Sequence, residues 1–250
     1  MRRRHIHARH PLLSLPTTLL GQTDSGIGGK TGIDLPAGKN LAGAFHMPMR
    51  TVCDTAWLDT LPPRQRICGL IEAAKLGLVC DPGLLAQMRA CWLSLLVADP
   101  AATERLVRRA ALGKARIVAR DPRETAGRRD ILNFGHTLGH ALETAAGGSG
   151  LLHGEAVLLG MRAALRLSRR HAGLRADTAE DLDSFLAGLP APRVRLNEAA
   201  VMAALRHDKK ARGGRLRFVL LRAPGRPRIL AGLPEADIRA NLRWLLAEIR

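Results

Sequence analysis

RRDILNFGHTLGHALETAAGGSGLLHGEAVLLG, residues 128–160, is the stretch around which the chain is organised. It carries His136 and His140 four apart, then a third histidine, His153, in a Leu-Leu-His-Gly-Glu turn. Side chains four apart on a helix project from one face about one turn from each other, so the pair can serve one metal, or one metal and one substrate. A lone His-x-x-x-His is more often surface or core. Here the company shifts the balance, because Asn133 and Gly135 precede the first histidine, Gly139 separates the pair, and His153 follows a Gly-rich break at Gly147-Gly148-Ser149-Gly150. Small residues among three histidines imply a place where backbone and ligand approach closely.

The rest of the chain bounds what such a place can do. Its 250 residues, 46% of them hydrophobic, suffice for one large domain or two modest ones. A net charge of +17 raises nucleic acid as a partner, but tyrosine is absent and aromatics are 3%, whereas base-stacking surfaces place aromatics beside their cations. The excess is largely arginine along helical stretches such as Arg105-Arg108-Arg109 and Arg162-Arg166-Arg169-Arg170, so a nucleic-acid partner is not expected. Cys53, Cys68, Cys80 and Cys91 show no paired spacing and read as buried small apolar residues in a reducing compartment. No apolar run reaches membrane-spanning length, and the basic start MRRRHIHARHPLLSLP has no small-residue cleavage site, so a cytoplasmic protein without a membrane partner is expected.

In chain order, residues 12–16 (LLSLP) read as a buried strand, followed by a turn at Thr17-Thr18. Residues 17–45 are Gly-rich. Gly28-Gly29-Lys30-Thr31 is superficially similar to the end of a phosphate-binding loop, yet Asp24 stands where that loop needs glycine. The surviving reading is that Lys30, Lys39 and Asn40 lie on loops able to wrap an anion, set against two solvated lysines. Residues 55–78 read as a Pro-initiated helix with Leu70, Ile71, Ala74 and Leu78 as its stripe. Glu72 and Lys75, three apart, are either a surface ion pair or a metal-ligating carboxylate with a lysine reaching the same pocket. Helix is expected from Asp81 to Arg120 with a break at Asp99-Pro100, then the histidine helix, a helix from Val157 to Arg170, a polar segment 177–183 leading to a further helix, a strand Leu216–Leu221 after His207-Asp208-Lys209-Lys210, and an amphipathic tail Ile238–Ile249.

The blocks PTTLL, DSGIGGKTGIDLPAGKN, LPPR, GLIEAAK, LNFGHTLGHALE, LLHGEAV and DKK…FVLL occur in an order that resembles 3-dehydroquinate synthase and the other sugar phosphate cyclases from about Leu12 to the C-terminus. The resemblance implies an enzyme that uses NAD and zinc, or another divalent metal such as cobalt, to convert a seven-carbon keto acid phosphate to 3-dehydroquinate. It places the metal on Glu72, His136 and His153, a sound set for a catalytic site that keeps a position open. His140 matches the proton-handling histidine, with Lys75 and Asn133 beside it in catalytic positions. Lys30, Asn40, Lys114, Arg129 and one of Lys209 or Lys210 match substrate-binding positions. Thr17, Thr18, Asp24, Lys39 and the segment Trp57, Leu58, Asp59 and Thr60 match NAD contacts.

The departures shape the expected fold. Members of the family carry a lobe on the order of 100 residues with a Gly-rich loop for the NAD pyrophosphate, and this sequence shows no such loop. One extra residue between Lys114 and Asn133 makes Arg128 a rival to Arg129. The fold expected is α/β plus α: residues 1–60 as a truncated Rossmann-like remnant, and residues 61–250 as a mostly helical zinc- and substrate-binding domain. Three readings stand: an active cyclase, as a homodimer or with its missing lobe supplied by another chain or an upstream start; a zinc protein without NAD chemistry; and a non-catalytic partner of a full-length paralogue. A cyclase of secondary metabolism on a related sugar phosphate is the alternative within the first, which the intact zinc and substrate motifs favour. The remnant strands are expected to expose apolar edges and promote self-association.

Overall fold

The computed structural model describes residues 11–35, 38–147, 150–211 and 214–249, with the side chains of 34, 35, 38–41 and 208–211 outside that description. Two short strand pairs open the chain. β1 (Leu13–Ser14) runs parallel to β4 (Arg50–Thr51), and between them β2 (Ile33–Leu35) turns back antiparallel on β3 (Gly38–Ala42). Six helices follow: α1 (Pro63–Val79), α2 (Pro82–Ala90), α3 (Trp92–Leu96), α4 (Pro100–Ala119), α5 (His136–Ala146) and α6 (His153–His171). After α7 (Ala176–Ala187) and α8 (Glu198–Ala211), the hairpin of β5 (Arg217–Ala223) and β6 (Arg226–Ala231) leads into α9 (Glu235–Glu248). Among the described residues no helix is long and apolar enough to cross a membrane.

The helix starts follow local chemistry. Asp81 and Asp99 each precede a proline, and their carboxylates accept from the backbone of Leu84 (3.2 Å) and Ala102 (2.7 Å), so α2 and α4 begin with a capped first turn. A helix with one apolar stripe lies on a surface, but α1 is buried without interruption from Cys68 to Val79. Its two sides serve two apolar cores. Ile71, Leu78 and Val79 pack with α5, α6, α9 and β5, whereas Leu70, Ala73, Ala74 and Leu76 pack with α2, α4 and Leu58.

Close backbone contacts fix how the helices cross. A Cβ on Gly160 of α6 would stand 2.0 Å from the Gly135 carbonyl oxygen, in the first turn of α5, and one on Gly154 would stand 2.6 Å from Cys68 Cα of α1. Glycine at these two points lets α6 lie against both neighbours, which brings the starts of α5 and α6 to the middle of α1.

Several expectations change. The strand near residues 12–16 exists, but Leu12, Leu13 and Leu15 are exposed rather than buried, because nothing among the described residues covers that side of β1. Ile33, Phe45, Met47, Met49 and Val52 extend the exposed apolar surface. Of the cysteines only Cys68 is buried; the other three are partly so, and all four are free thiols. The run 81–120 breaks at Cys91 as well as at Asp99, and residues 177–183 are themselves helical. The helix α8 and the strand β6 were not expected; α8 carries His207-Asp208-Lys209-Lys210, which the sequence alone places before a turn.

A methyl group at Gly160 must wedge into the first turn of α5. Gly160→Ala is expected to destabilise the protein by about 1–3 kcal/mol, read by urea unfolding. A stability unchanged within about 0.5 kcal/mol would show that the crossing relaxes freely.

Candidate functional site

Three histidines converge where α5 and α6 start. Their ligand atoms all lie within 4.8 Å of one another, and the ring centroids are 5.2 to 5.6 Å apart. Facing them is Glu72 from the buried run of α1, with Oε1 at 3.8 Å from His136 Nε2 and 3.6 Å from His153 Nε2. His136 Nδ1 lies 3.1 Å from the Phe134 carbonyl, and His153 Nδ1 lies 3.3 Å from Glu143 Oε2. Each ring therefore has its Nδ1 occupied and turns its Nε2 to the same carboxylate.

That carboxylate is fully buried and receives no hydrogen bond of good geometry on either oxygen. Oε2 meets Lys75 Nζ, but Oε1 has no partner as close, and a buried charge so unevenly satisfied is costly. The neutral His136, donating through Nδ1, presents a lone pair at Nε2 to an anion 3.8 Å away. A divalent cation between them answers both features, and two nitrogens with one carboxylate are a fitting donor set for zinc or its analogues. His140, exposed at the mouth, offers a third nitrogen to the same position.

Beside Glu72 runs a chain of alternating charge. Lys75 Nζ contacts Glu72 Oε2 and lies 3.8 Å from Asp24 Oδ1, and Lys114 Nζ lies 2.6 Å from both Asp24 Oδ1 and the Asp24 carbonyl. Both lysines are buried, so the surface reading of Glu72 and Lys75 is set aside. Burial opposes the charge of Asp24, Glu72 and Lys75, yet the neighbouring opposite charges prevail: both carboxyls titrate lower and Lys75 higher than usual. Lys114 is shifted down, by burial and in lesser part by Lys75.

Two loops close the other side. The Asp121 carboxylate accepts from the backbone of Thr125, Ala126 and Arg128 at 2.9 to 3.1 Å, which folds residues 121–128. Arg129 then turns inward and is buried, donating to the carbonyls of Gly28 (3.3 Å) and Pro122 (3.2 Å), with its Nε unpartnered; Arg128 is exposed. Of the two rivals, Arg129 faces inward. Lys30 is exposed and pairs with Glu124 at 2.5 Å.

The remaining expected residues are distributed unevenly. Asn133 ends the short helical turn Arg128–Asn133, half-buried just before His136. Thr17 and Thr18 are exposed, and Thr18 Oγ1 accepts from Gly21 N at 3.0 Å. Trp57, Asp59 and Thr60 are exposed on a turn, but Leu58 is a core residue whose carbonyl is occupied by Arg66 at 2.6 Å. The side chains of Lys39, Asn40, Lys209 and Lys210 lie outside the described residues. Sequence reasoning missed Glu143 and Glu124. A carboxylate seven residues after His136 on the same helix face was the available signal for the first; for the second there was none, its left-handed backbone at φ 56° being visible only in the fold.

The family model for the 3-dehydroquinate synthase C-terminal part matches residues 69–211, and that for the N-terminal part matches residues 7–68. The chain is 42% identical over 233 residues to a 3-dehydroquinate synthase of Acidithiobacillus ferrooxidans, covering 92% of this chain and 64% of the relative. With the Rhodospirillum rubrum 3-dehydroquinate synthase it shares 44% over 244 residues, covering 94% and 63%. The chain thus spans just under two thirds of the length of these relatives. Among solved structures, the 2-epi-5-epi-valiolone synthase of Streptomyces hygroscopicus subsp. jinggangensis, with NAD+ and Zn2+ bound, superposes with a TM-score of 0.83 at 31% identity, covering 95% of this chain and 66% of that one. A 2-deoxy-scyllo-inosose synthase complexed with carbaglucose-6-phosphate, NAD+ and Co2+ gives 0.80 at 25% identity, covering 94% and 66%.

Two of the histidines set a pH optimum for the stability of the metal-free protein. Burial, and then the charge of Lys75, hold His136 down at about 3 against the ordinary 6.5, so the unfolded chain binds the extra proton between those values and stability rises with pH across them. For His153 burial is outweighed by its bond to Glu143 and by the negative charge of Glu72, which raise it to about 9; that stabilisation is full below 6.5 and lost as pH climbs through 9. Thermal melts in chelator are expected to peak near pH 6.5, and His153→Ala to remove the decline on the alkaline side. A melting temperature that keeps climbing from pH 6.5 to 9 in the wild type would contradict this assignment.

Proposed function

The chain belongs to the 3-dehydroquinate synthase family, and from that premise we propose that it serves the phosphate-eliminating cyclisation of 3-deoxy-D-arabino-heptulosonate 7-phosphate to 3-dehydroquinate, a carbon–oxygen lyase reaction of the shikimate pathway using NAD and zinc. One observation carries the reading: the Nε2 atoms of His136 and His153 converge on a buried Glu72 carboxylate that lacks hydrogen bonds, with the buried cation Lys75 one turn along α1. Identities of 42% and 44% to the two 3-dehydroquinate synthases, against 31% and 25% to the two other cyclases, favour this substrate over those of secondary metabolism.

In this reading Glu72, His136 and His153 hold the metal, which supplies polarisation of a substrate hydroxyl or carbonyl oxygen. His140, exposed at the mouth, carries protons to and from the substrate. Lys75 and Asn133 orient the reacting ring. Lys30, Lys114 and Arg129, with Asn40, Lys209 and Lys210, meet the phosphate and carboxylate as opposed charges. Asp24 holds Lys75 and Lys114, and with Thr17, Thr18, Lys39, Trp57, Asp59, Thr60 and the backbone at Leu58 it would hold NAD. Residues 1–60 belong to the NAD-binding Rossmann-like part and 61–250 to the metal- and substrate-binding part. The boundary between the two matched family models, at residues 68 and 69, falls somewhat later and supports a division of this kind. Free thiols and small charged substrates fit a cytoplasmic setting.

The division of labour between the histidines is testable with zinc, NAD and the heptulosonate phosphate, reading phosphate release. Calorimetric titration of NAD, with and without the N-terminal part of a relative added, reads the nucleotide side separately. His136→Ala is expected to abolish tight zinc binding, whereas His140→Ala should retain zinc and lower turnover by roughly 10²–10⁴-fold. Loss of zinc in both variants would make His140 a ligand. Unchanged zinc binding in His136→Ala would sink the metal assignment.

A further inference from the structure

The two histidine ligands proposed above are anchored differently. His136 is held by the Phe134 carbonyl two residues before it, a main-chain atom that no side-chain change removes. His153 is held across the crossing of α5 and α6 by a side chain, Glu143, whose Oε2 lies 3.3 Å from its Nδ1. Glu143 follows His136 by seven residues and His140 by three, so all three side chains leave α5 on one face.

We infer that Glu143 is a positioning residue of the metal centre: its carboxylate holds His153 at Nδ1, fixing the ring so that Nε2 points to the cation bound by Glu72 and His136. Three observations carry this. His153 sits in the first turn of α6, where the free main-chain groups are N–H donors and provide no acceptor for Nδ1. The other acid near that turn, Glu155, is fully engaged: it takes two bonds from Arg64, at 2.6 and 2.8 Å, and one from the Leu152 N–H at 2.8 Å. Finally, Nε2 of the ring so held lies 3.6 Å from Glu72 Oε1, leaving room for an ion between the two. A carboxylate behind a ligating histidine selects its tautomer and restrains the ring's rotation, and losing such a partner typically lowers metal affinity about 10–100-fold. The inference rests on the metal reading of the site and extends it to a residue outside the ligand set.

The test is a titration of the full chain with Co2+ against a competing chelator, following visible absorption, for the wild type, Glu143→Ala and Glu143→Gln. Glu143→Ala is expected to bind Co2+ about 10–100-fold more weakly with an altered absorption envelope. Glu143→Gln keeps an acceptor for the Nδ1 proton, and should recover part of the affinity and the wild-type envelope. Equal affinity and identical spectra in all three would overturn the inference. So would a lowered melting temperature with unchanged Co2+ binding, which marks a merely structural role. A wild type that fails to bind Co2+, or binds it equally well as His136→Ala, would instead overturn the metal reading itself.

Discussion

A glutamate and a lysine stand three residues apart in the stretch of a helix that has no exposed side. Taking both Glu72 and Lys75 out of water carries a desolvation penalty of several kcal/mol per ion that one contact between them does not offset. Everything around the pair reads as compensation. Asp24 comes to the far side of Lys75, Lys114 to the far side of Asp24, and the two histidine nitrogens to the far side of Glu72. The series alternates in sign from Lys114 to Glu72, and it ends on an oxygen with room for a cation. The metal position is the place where this run of charges is completed.

Such an arrangement requires that five separately coded segments meet within a few ångströms, and backbone contact secures several of the meetings. Gly154 seats the start of α6 on Cys68, one helical turn before Glu72, and Gly160 seats the same helix on the start of α5. A third contact sets Asp24: a Cβ on Gly69 would stand 2.6 Å from Leu19 Cβ and from Leu20 N, so the turn carrying Asp24 lies directly on α1. The site is assembled by the absence of side chains at its supports as much as by the side chains that point into it. Preorganisation of this kind is what metal and transition-state binding require.

The sequence conveyed this unevenly. His136, His140 and His153 were legible because their spacing and small neighbours are local facts, and the apolar stripe of α1 was legible from periodicity. Whether Glu72 and Lys75 were solvated or buried was not, since spacing alone reads the same for a surface pair; only the packing of two cores against opposite sides of α1 decides it. The apolar run Leu12 to Leu15 reads as buried because hydrophobicity reports preference, not the presence of a covering neighbour. Glu143 was passed over because its partner His153 lies on another helix, and only the crossing of α5 and α6 puts the two together. Helix α8 went unread because its apolar positions, Val201, Met202 and Leu205, are few and its end is a run of charges.

The uncovered apolar side of β1 and its neighbours also bears on the protein's behaviour at high concentration. Leu13, Ile33, Met49 and Val52 form surface that water disfavours, on a molecule whose sequence carries a net charge of +17. At low ionic strength like charge keeps two molecules beyond the reach of contact attraction. In 1 M salt the Debye length shrinks to about 3 Å, and that protection is gone. Added salt, which loosens most arginine-rich proteins from their partners, here removes the like-charge repulsion that opposes contact between these apolar surfaces.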